Sequence, residues 1–496
     1  MECSKPAEVG VSPLRLSGVT PGERENLSFH RASHPAFRAD LLAQSQTRWS
    51  IPLFRKPPNP AFLDLLAQSF LAGGQDAEEI KQNAAKILGH SWRWLGPVAR
   101  RYTEKFRSQT RPRRTSVVDF LLQDSGFQRA WRRHGEKLAI RSWIAGPQQM
   151  QPVPAAAAWN VPRLESKAEL ATWLNLAVSE IEWFADLKGI NRKHRDARLN
   201  HYSYRLLTKK SGKVRLIEAP KQHLRQIQRR ILSQILNRIP VHLGVHGFVK
   251  NRSIRSFAAP HVGSAVILRM DIEDFFPSFP ARRIQAFFRT IGYPETVADL
   301  LGGLCTNAVK FHWKMFGTDA TPDRFQEVRR LYFPPHLPQG APTSPMLANL
   351  CSYRLDCRLA GLARSAGAVY TRYADDLAFS GGPEFAARVE RFSTSVAAIL
   401  LESGFAVNHH KTRVMRPDVC QRLAGLITNV RLNVPRQDFD RLKAILTNCR
   451  RHGWQSQNRD AHPDYRSHLS GRIGFVESVN PAKALRLRRL FEQIKW

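Results

Sequence analysis

The sequence predicts an α+β fold, because helical and strand-like patterns fall in different stretches of the chain. Helical patterns fill residues 60–145 and recur after residue 430, whereas short apolar runs typical of strands occur at 265–268 and 369–379. The chain has 496 residues, of which 43% are hydrophobic. That composition is sufficient for a large core and for two to four domains.

The first 160 residues are expected to form a basic N-terminal extension. Residues 1 to about 45 are rich in Ser, Pro, Arg and Gly, a composition typical of poorly ordered chain. Residues 60–145 combine apolar residues at helical spacing with many arginines, which predicts a small basic helical region. Its tryptophans are expected in the core, with stacking on nucleic-acid bases as the alternative. A Gly-, Pro- and Ala-rich stretch at about 146–160 predicts a linker.

Three helices are predicted between this linker and residue 240. Ser166 and Glu169 form a capping-box pattern, which favours a helix directly after it. Apolar residues at helical spacing predict a second helix from Val178 and a third over 227–239.

Asp271 is expected near the end of a central strand, because it follows the strand-type apolar run 265–268. Asp375 and Asp376 stand between the β-favouring run 369–372 and the apolar run 377–379, which predicts a tight hairpin with both acids at its tip. Acids are also common in solvated turns and at strand ends.

A hairpin that aims its acids at the strand acid would supply the oxygen ligands that Mg²⁺ prefers. Two such ions about 4 Å apart activate an attacking oxygen and stabilise a leaving one.

The run from Leu337 to Pro345 contains three prolines and one glycine, which predicts a stiff loop. A helix-like stretch follows at 346–350, with Ser344 as its expected N-cap and Pro345 as its first residue. A rigid loop that leads into a helix N-terminus suits a wall facing a phosphate or a base pair.

At these three patterns the chain resembles the reverse transcriptases. Further stretches match that family in order along the chain, and the resemblance covers about residues 165–496. These stretches are Ser203–Arg205 with Lys209–Ile217, His246–Ile254, Gly404–Thr412 and Gly425–Arg436. The resemblance implies a right-hand polymerase fold, with a helical lead-in and fingers at 161–263, a palm with an antiparallel sheet and the catalytic site at 264–428, and a helical thumb at 429–496.

The resemblance also implies the chemistry of an RNA-directed DNA polymerase, a nucleotidyltransferase that adds dNTPs to a primer. Asp271, Asp375 and Asp376 would be catalytic and would hold two Mg²⁺ ions, with help from the backbone carbonyl of Ile272. Phe276 stands where the family keeps an aromatic ring that excludes a ribose 2′-OH. A core aromatic residue is the alternative for Phe276.

Four further residues are expected to bind the nucleotide. Lys210 and Arg215 on the fingers hairpin would grip the triphosphate, since cations on a β-ribbon suit phosphates. Gln339 would lie under the incoming nucleotide, and Lys411 would assist the departure of pyrophosphate. For Lys210, Arg215 and Lys411 a solvated surface charge is the alternative.

Within the family the chain is most similar to the bacterial retron enzymes. Residues 246–261 and the proline-rich loop carry this resemblance, whereas the usual Asn-Ala-x-x-His pattern is only partly present at 257–261 and the usual Val-Thr-Gly reads Leu-Ala-Gly at 423–425. The resemblance implies that part of a structured non-coding RNA is copied into single-stranded DNA linked to RNA (msDNA), in anti-phage defence and with an effector protein as a further partner. Arg252, His261 and Arg436 would contact RNA.

Two alternatives remain open at this point: an intron- or CRISPR-associated reverse transcriptase, and a catalytically idle RNA-binding protein on the same fold.

Composition favours nucleic-acid partners, and the resemblance implies that these are an RNA template, a primer and an RNA–DNA duplex. The chain has 76 Lys and Arg against 41 Asp and Glu, a net charge of +35. Its six cysteines form no C-x-x-C pair, which argues against a zinc knuckle or a disulfide framework. The N-terminus lacks a signal-peptide core and no run of 18 apolar residues occurs, so a cytoplasmic protein without a membrane partner is expected.

Overall fold

The computed structural model describes residues 57–72, 74, 76–107, 112–135, 137–142, 148–191, 199–208, 214–309 and 322–496. Residues 58–496 form one compact unit. The stretch 1–45 and Lys210, for which predictions were made, lie outside the described residues.

The described part of the chain contains helices α1 to α18 and strands β1 to β9. In chain order the helices are Pro60–Leu71, Ala77–Leu88, Leu95–Lys105, Arg114–Gln123, Ser125–His134, Lys167–Leu174, Val178–Ala185, Gln222–Gln234, Ile254–Ala258, Ala281–Ile291, Glu295–Leu304, Pro322–Tyr332, Ser344–Cys351, Tyr353–Ser365, Pro383–Glu402, Arg436–His452, Tyr465–Val479 and Pro481–Glu492. The strands are Tyr202–Thr208, Val214–Pro220, Val266–Glu273, Ala368–Tyr373, Asp376–Gly381, Ala406–Val407, Arg413–Met415, Arg422–Leu423 and Leu426–Ile427.

Helices α1 to α5 form the N-terminal helical region that the apolar spacing predicts. Asp76 and Asp124 cap α2 and α5, because their carboxylates accept hydrogen bonds from backbone N–H groups of the first turn. The ring of Trp131 lies 5.1 Å from the ring of the buried Phe62, so this tryptophan packs on core residues as expected.

The N-terminal helices contact helices α10 and α11. Arg113 Nη2 lies 3.2 Å from Gln285 Oε1, and the Arg114 backbone N–H donates to a Glu295 carboxylate oxygen at 2.9 Å. These contacts join the first five helices to the region that holds the palm.

The described part of the expected linker is packed rather than free. The backbone N–H of Gln151 donates to the carbonyl of Gly292 at 2.9 Å, and residues Pro154–Trp159 form a 3₁₀ helix with Ala156 buried. A β-carbon at Gly292 would lie 2.4 Å from the carbonyl carbon of Gln151, so the two backbones meet closely. The division of the chain at residues 160, 263 and 428 stays a prediction.

Helices α6 and α7 precede the hairpin formed by β1 and β2. Ser166 Oγ accepts a hydrogen bond from the Glu169 N–H at 3.2 Å, as the capping-box pattern predicts. The two strands pair antiparallel from Tyr202 opposite Pro220 to Thr208 opposite Val214. Helix α8 then covers 222–234, and a 3₁₀ turn at 236–238 completes the third predicted helix.

The central sheet has the strand order β4–β5–β3–β6, with β7 also paired to β3. All of these pairs are antiparallel. Six of the eight residues of β3 are buried, so this strand is covered on both faces, and its apolar sequence reflects that position. The central strand and the hairpin of β4 and β5 were both correctly predicted.

Helix α13 begins one residue away from its predicted start. Thr343 is the N-cap residue and makes no side-chain capping hydrogen bond, whereas Ser344 is already helical and Pro345 is the second helical residue. The prediction of Ser344 as N-cap is therefore wrong. Proline is tolerated at either position, because the first N–H groups of a helix have no intrahelical partner.

The aromatic residues of the long connection over 303–336 predict an ordered segment that packs on the palm. Its described part contacts the palm, where the Ala281 N–H donates to the Pro335 carbonyl at 2.9 Å, and also the fingers. Tyr332 and Val328 of α12 form a small cluster with Val309 and with Leu216 of β2. Three of the aromatic residues expected to anchor this connection, Phe311, Trp313 and Phe316, lie outside the described residues.

Helices α16 to α18 form the helical thumb, and their buried apolar residues share a cluster with Ile267 of β3 and Ala378 of β5. No helix of the described residues is long and apolar enough to cross a membrane.

Candidate active site

Three carboxylates converge at one end of the central sheet. Asp271 of β3 lies directly opposite Asp376, the first residue of β5, and Asp375 occupies the turn between β4 and β5. Directly opposed residues of an antiparallel pair point to the same face, with β-carbons about 5 Å apart. The Ile272 N–H donates to the Asp375 carbonyl at 2.9 Å, which ties the turn to β3.

The site concentrates negative charge in a partly buried place. Burial raises the pKa of Asp375 to about 6, and the charges of Asp271 and Asp376 add to that rise. Burial also raises the pKa of Asp271, and Lys411 only partly offsets this rise. The cluster therefore favours a cationic ligand.

Two basic side chains approach the carboxylates. Lys411 Nζ lies 2.9 Å from both carboxylate oxygens of Asp271, and Arg269 Nη2 lies 2.6 Å from Asp376 Oδ1. Within the described residues, no group of three or more His, Cys, Asp or Glu side chains is arranged as a ready metal site. The donor set nevertheless fits a hard divalent cation, since it is made of carboxylate oxygens whose mutual repulsion a cation would relieve.

Arg269 was not predicted as a site residue. Its position two residues before Asp271 places both side chains on the same face of β3, and this alternation is the signal that could have identified it.

The catalytic turn rests on a buried ion pair. Arg372 Nε and Nη2 each donate to Asp356 of α14 at 2.7 Å, and both side chains are fully buried. Arg372 Nη1 donates to the carbonyl of Ala374 at 3.0 Å and to Asn349 Oδ1 at 3.1 Å. Ala374 has a φ of +57°, so the turn keeps a backbone conformation that a residue with a β-carbon rarely adopts without support.

The helix after the proline-rich loop and the stretch 246–254 both contact this turn or the residues that support it. Asn349, in the helix after the proline-rich loop, donates to the carbonyl of Gly247 at 2.8 Å. A β-carbon on Gly247 would lie 2.6 Å from the Ala374 nitrogen, so only glycine permits this approach. Arg372, Asp356 and Asn349 were not predicted as functional, because their contacts depend on tertiary structure.

Phe276 lies at the edge of the site as a half-buried ring. Its ring is 6.5 Å from that of Phe248, which is 50% exposed and is itself 6.2 Å from the ring of Tyr373. The three rings form an aromatic ledge beside the carboxylates. The partial exposure of Phe276 is compatible with contact to a nucleotide, and its role as a sugar gate stays a prediction.

Gln339 joins the proline-rich loop to the fingers, because its carbonyl accepts a hydrogen bond from the Glu218 N–H of β2 at 2.8 Å. The carboxylate of Glu218 is buried and lies 2.9 Å from His336 Nε2. Arg215 lies on β2 opposite Leu207 and is partly exposed. The structure thus connects Gln339 to the strand that carries Arg215, while their nucleotide-binding roles stay predictions.

The three residues expected to contact RNA have different surroundings. Arg436 is 93% exposed at the start of α16, which leaves it accessible to a phosphate. Arg252 is partly exposed, and its Nη1 donates to the carbonyls of Leu243 and Val245, so it holds that backbone stretch.

A direct RNA contact by His261 does not fit its position. His261 is completely buried, and its two ring nitrogens lie 2.7 Å from the hydroxyl oxygens of Ser380 and Thr371. Burial lowers the pKa of His261 to about 3. This histidine therefore bridges β4 and β5 from inside the protein, and a sequence motif alone does not reveal that burial.

Comparison with known proteins defines the class. The family model described as reverse transcriptase (RNA-dependent DNA polymerase) matches residues 207–449. This match and the antiparallel palm bearing three carboxylates confirm the predicted polymerase fold and the activity, RNA-directed DNA polymerisation.

Proteins with similar sequences assign the chain to one group of reverse transcriptases. The chain is 38% identical over 337 residues to the retron Mx65 reverse transcriptase of Myxococcus xanthus, covering 67% of this chain and 73% of that protein. It is 35% identical over 342 residues to the retron Mx162 enzyme of the same organism, covering 66% and 67%. It is 29% identical over 291 residues to the retron Ec86 reverse transcriptase of Escherichia coli, covering 58% and 79%. The chain belongs to the retron reverse transcriptases.

Proposed function

We propose that Asp271, Asp375 and Asp376 hold two Mg²⁺ ions and form the active site for DNA synthesis. The observation that carries this proposal is the convergence of the three carboxylates at the end of β3 and β5. Reverse transcriptases use divalent metal ions, which supply activation of the attacking oxygen and neutralisation of the leaving phosphate. The backbone carbonyl of Ile272 is proposed as a further ligand.

Lys411 is proposed to act on the leaving group. Its ammonium group is half-exposed and bonds to Asp271. With a divalent cation bound at Asp271, the Lys411 ammonium would no longer be needed to balance that carboxylate and could neutralise the departing pyrophosphate. Arg269 holds Asp376 in the same manner and is proposed to keep this carboxylate oriented until a metal binds.

The remaining contacts to the nucleotide are proposed by position. Arg215 and Lys210 would bind the triphosphate from the fingers, since a guanidinium can bind phosphate oxygens in a bidentate manner. Gln339 would support the base, and Phe276 would exclude a ribose 2′-OH. The natural substrates would then be dNTPs.

The metal proposal can be tested with Mn²⁺ as a paramagnetic probe. Electron paramagnetic resonance should count about two tightly bound Mn²⁺ ions in the parent enzyme with primer–template and a non-hydrolysable dNTP, as the two-metal arrangement requires. The Asp375→Asn variant should bind fewer ions, because it removes a charged ligand. Equal numbers of bound ions in both proteins would exclude Asp375 as a ligand.

We further propose that the enzyme copies part of a structured non-coding RNA into single-stranded DNA that remains linked to RNA. Membership of the retron family supports this proposal, as do the partly exposed Arg252 and the exposed Arg436. A role in anti-phage defence, an effector partner and a cytoplasmic location are parts of the same proposal. The similarity to retron reverse transcriptases argues against both alternatives, an intron- or CRISPR-associated enzyme and a catalytically idle RNA-binding protein.

The product can be tested by isolating nucleic acid that co-purifies with the enzyme expressed together with its flanking DNA. A hybrid should appear that RNase shortens to a discrete DNA and that DNase removes. Active enzyme without such a hybrid would contradict the retron product and leave a general reverse transcriptase.

A further inference from the structure

A basic pocket lies on the N-terminal helices, outside the residues 207–449 that match the family model. Its volume is about 670 Å³, within the range of small-molecule sites. The loop 90–94, the start of α3 and one side of α5 form its walls. Nothing in the polymerase mechanism uses this pocket.

One face of α5 gives the pocket its charge. Gly126, Arg129, Ala130 and Arg133 line it at positions i, i+3, i+4 and i+7, which place all four on one side of the helix. The small residues leave space between the loop and the helix, and the two exposed arginines border that space.

The arginines of the pocket differ in their partners. Arg101 Nε lies 2.6 Å from Asp124 Oδ2, and this ion pair neutralises the charge of Arg101. Within the described residues Arg93, Arg129 and Arg133 have no ion-pair partner, and no Asp or Glu lines the pocket. Three cations thus face a cavity with no anion of its own.

Aromatic rings form another wall. Trp92 is half-buried, and its ring lies 5.0 Å from that of His134 and 5.2 Å from that of His90. Trp94 also lines the pocket and packs on the buried Phe127 at 5.6 Å. Trp92 is therefore held by its neighbours while part of its surface stays accessible.

We propose that this pocket binds an unpaired nucleotide of RNA, with the base stacked on Trp92 and the adjoining phosphates bound by Arg93, Arg129 and Arg133. Aromatic rings interleaved with cations are typical of sites for single-stranded nucleic acid. Sequence-selective RNA binding uses unpaired loops, whose bases can leave the helix. The choice of RNA as the polymer rests on the proposed function, because the enzyme copies an RNA template.

The test uses the full-length protein and a 12-residue oligouridine RNA that carries one 5-iodouridine. Excess primer–template duplex occupies the polymerase cleft, and light then cross-links the RNA to nearby side chains. Peptide mapping should place a cross-link in the loop 90–94. Trp92→Ala should lower its yield about tenfold, as expected from the loss of one stacked base, whereas Trp92→Phe should retain most of it.

A charge-matched pair of variants separates the pocket from general basicity. Arg129→Gln with Arg133→Gln should weaken oligouridine binding about tenfold and lower the slope of log K against log salt by about 1.4, since each single-strand phosphate contact contributes about 0.7. Arg100→Gln with Arg132→Gln removes the same charge from exposed arginines of α3 and α5 outside the pocket, and should change binding less than twofold.

Four outcomes would overturn the proposal. Cross-links could map only within residues 207–449, or both double variants could weaken binding equally. An abasic 12-mer could compete as well as oligouridine, which would exclude base stacking. Polyglutamate could compete equally, which would indicate an acidic protein partner. The pocket variants should extend a pre-annealed primer at the parent rate. If the polymerase assignment itself were wrong, the parent enzyme would not extend the primer, so the two failures can be distinguished.

Discussion

Replacing Asp356 by Asn is expected to destabilise the protein and to slow DNA synthesis. Asp356 and Arg372 are both fully buried, and the carboxylate accepts two hydrogen bonds from the guanidinium. Asn keeps the shape of the side chain but removes its charge and one acceptor oxygen, so Arg372 would remain charged in the core without its counter-ion. Arg372 also donates a hydrogen bond to the Ala374 carbonyl in the catalytic turn, and without the Asp356 carboxylate its guanidinium would no longer be held in place.

The magnitude follows from the burial of the pair. Removing one partner of a buried ion pair costs about 3–5 kcal/mol. A unit that spans residues 58–496 has an unfolding entropy of about 0.9 kcal/mol/K, so Tm should fall by about 3–5 °C. The double variant Asp356→Asn with Arg372→Met also removes the stranded charge and should recover part of this loss.

A surface ion pair between α14 and α15 provides the control. Glu402→Gln removes the counter-ion of Arg358 in an exposed pair, where a loss of only about 0–1 kcal/mol is expected. Thermal unfolding at pH 7.5 and primer extension should be measured for each variant. A Tm for Asp356→Asn within 1 °C of the parent, or a double variant that loses the sum of both single losses, would refute the reasoning.

Three further predictions concern the surroundings of the site. Burial lowers the pKa of His261 to about 3 in the folded protein, against about 6.5 in the unfolded chain, so the protein loses stability as the pH falls below about 6.5. Between pH 7.5 and 5.0 His261 alone should lower the free energy of unfolding by about 2 kcal/mol, and the free energy of unfolding of His261→Gln should fall by that much less between the same two pH values. An equal loss would contradict the linkage. Phe276→Ala should raise rNTP against dNTP incorporation on one template, and an unchanged ratio would make Phe276 a core residue. Gly247→Ala should slow primer extension on the order of 10²-fold, because the new β-carbon displaces the Ala374 nitrogen. Gly361→Ala is its control, since a β-carbon there meets nothing within 4 Å. Equal extension rates for the two variants would contradict the close approach of Gly247 to the turn.

The parts of the site that local patterns encode could be predicted from the sequence. The apolar run before Asp271 predicted the central strand, and the β-favouring residues around Asp375 and Asp376 predicted the hairpin. These patterns act over a few residues, so no knowledge of the packing was needed to interpret them.

The support of the site could not be predicted in the same way. Arg372 and Asp356 are 16 residues apart and meet only because α14 packs beside β4. The burial of His261 between β4 and β5 likewise follows from the way the sheet is covered. A sequence motif therefore could not show whether its basic or polar residue contacts nucleic acid or forms a buried hydrogen-bonded bridge between strands.

The central claim is that the carboxylates of the hairpin catalyse RNA-templated DNA synthesis. The most direct test is primer extension with dNTPs on an RNA template by Asp375→Asn with Asp376→Asn, beside the control Asp418→Asn with Asp460→Asn, which alters two exposed acids outside the site. Metal ligands contribute several kcal/mol to such a transition state, so the first variant should lose on the order of 10³-fold or more in rate while RNA binding stays near the parent value. The control should extend primers at the parent rate. DNA synthesis by the hairpin variant at the rate of its control would contradict the account.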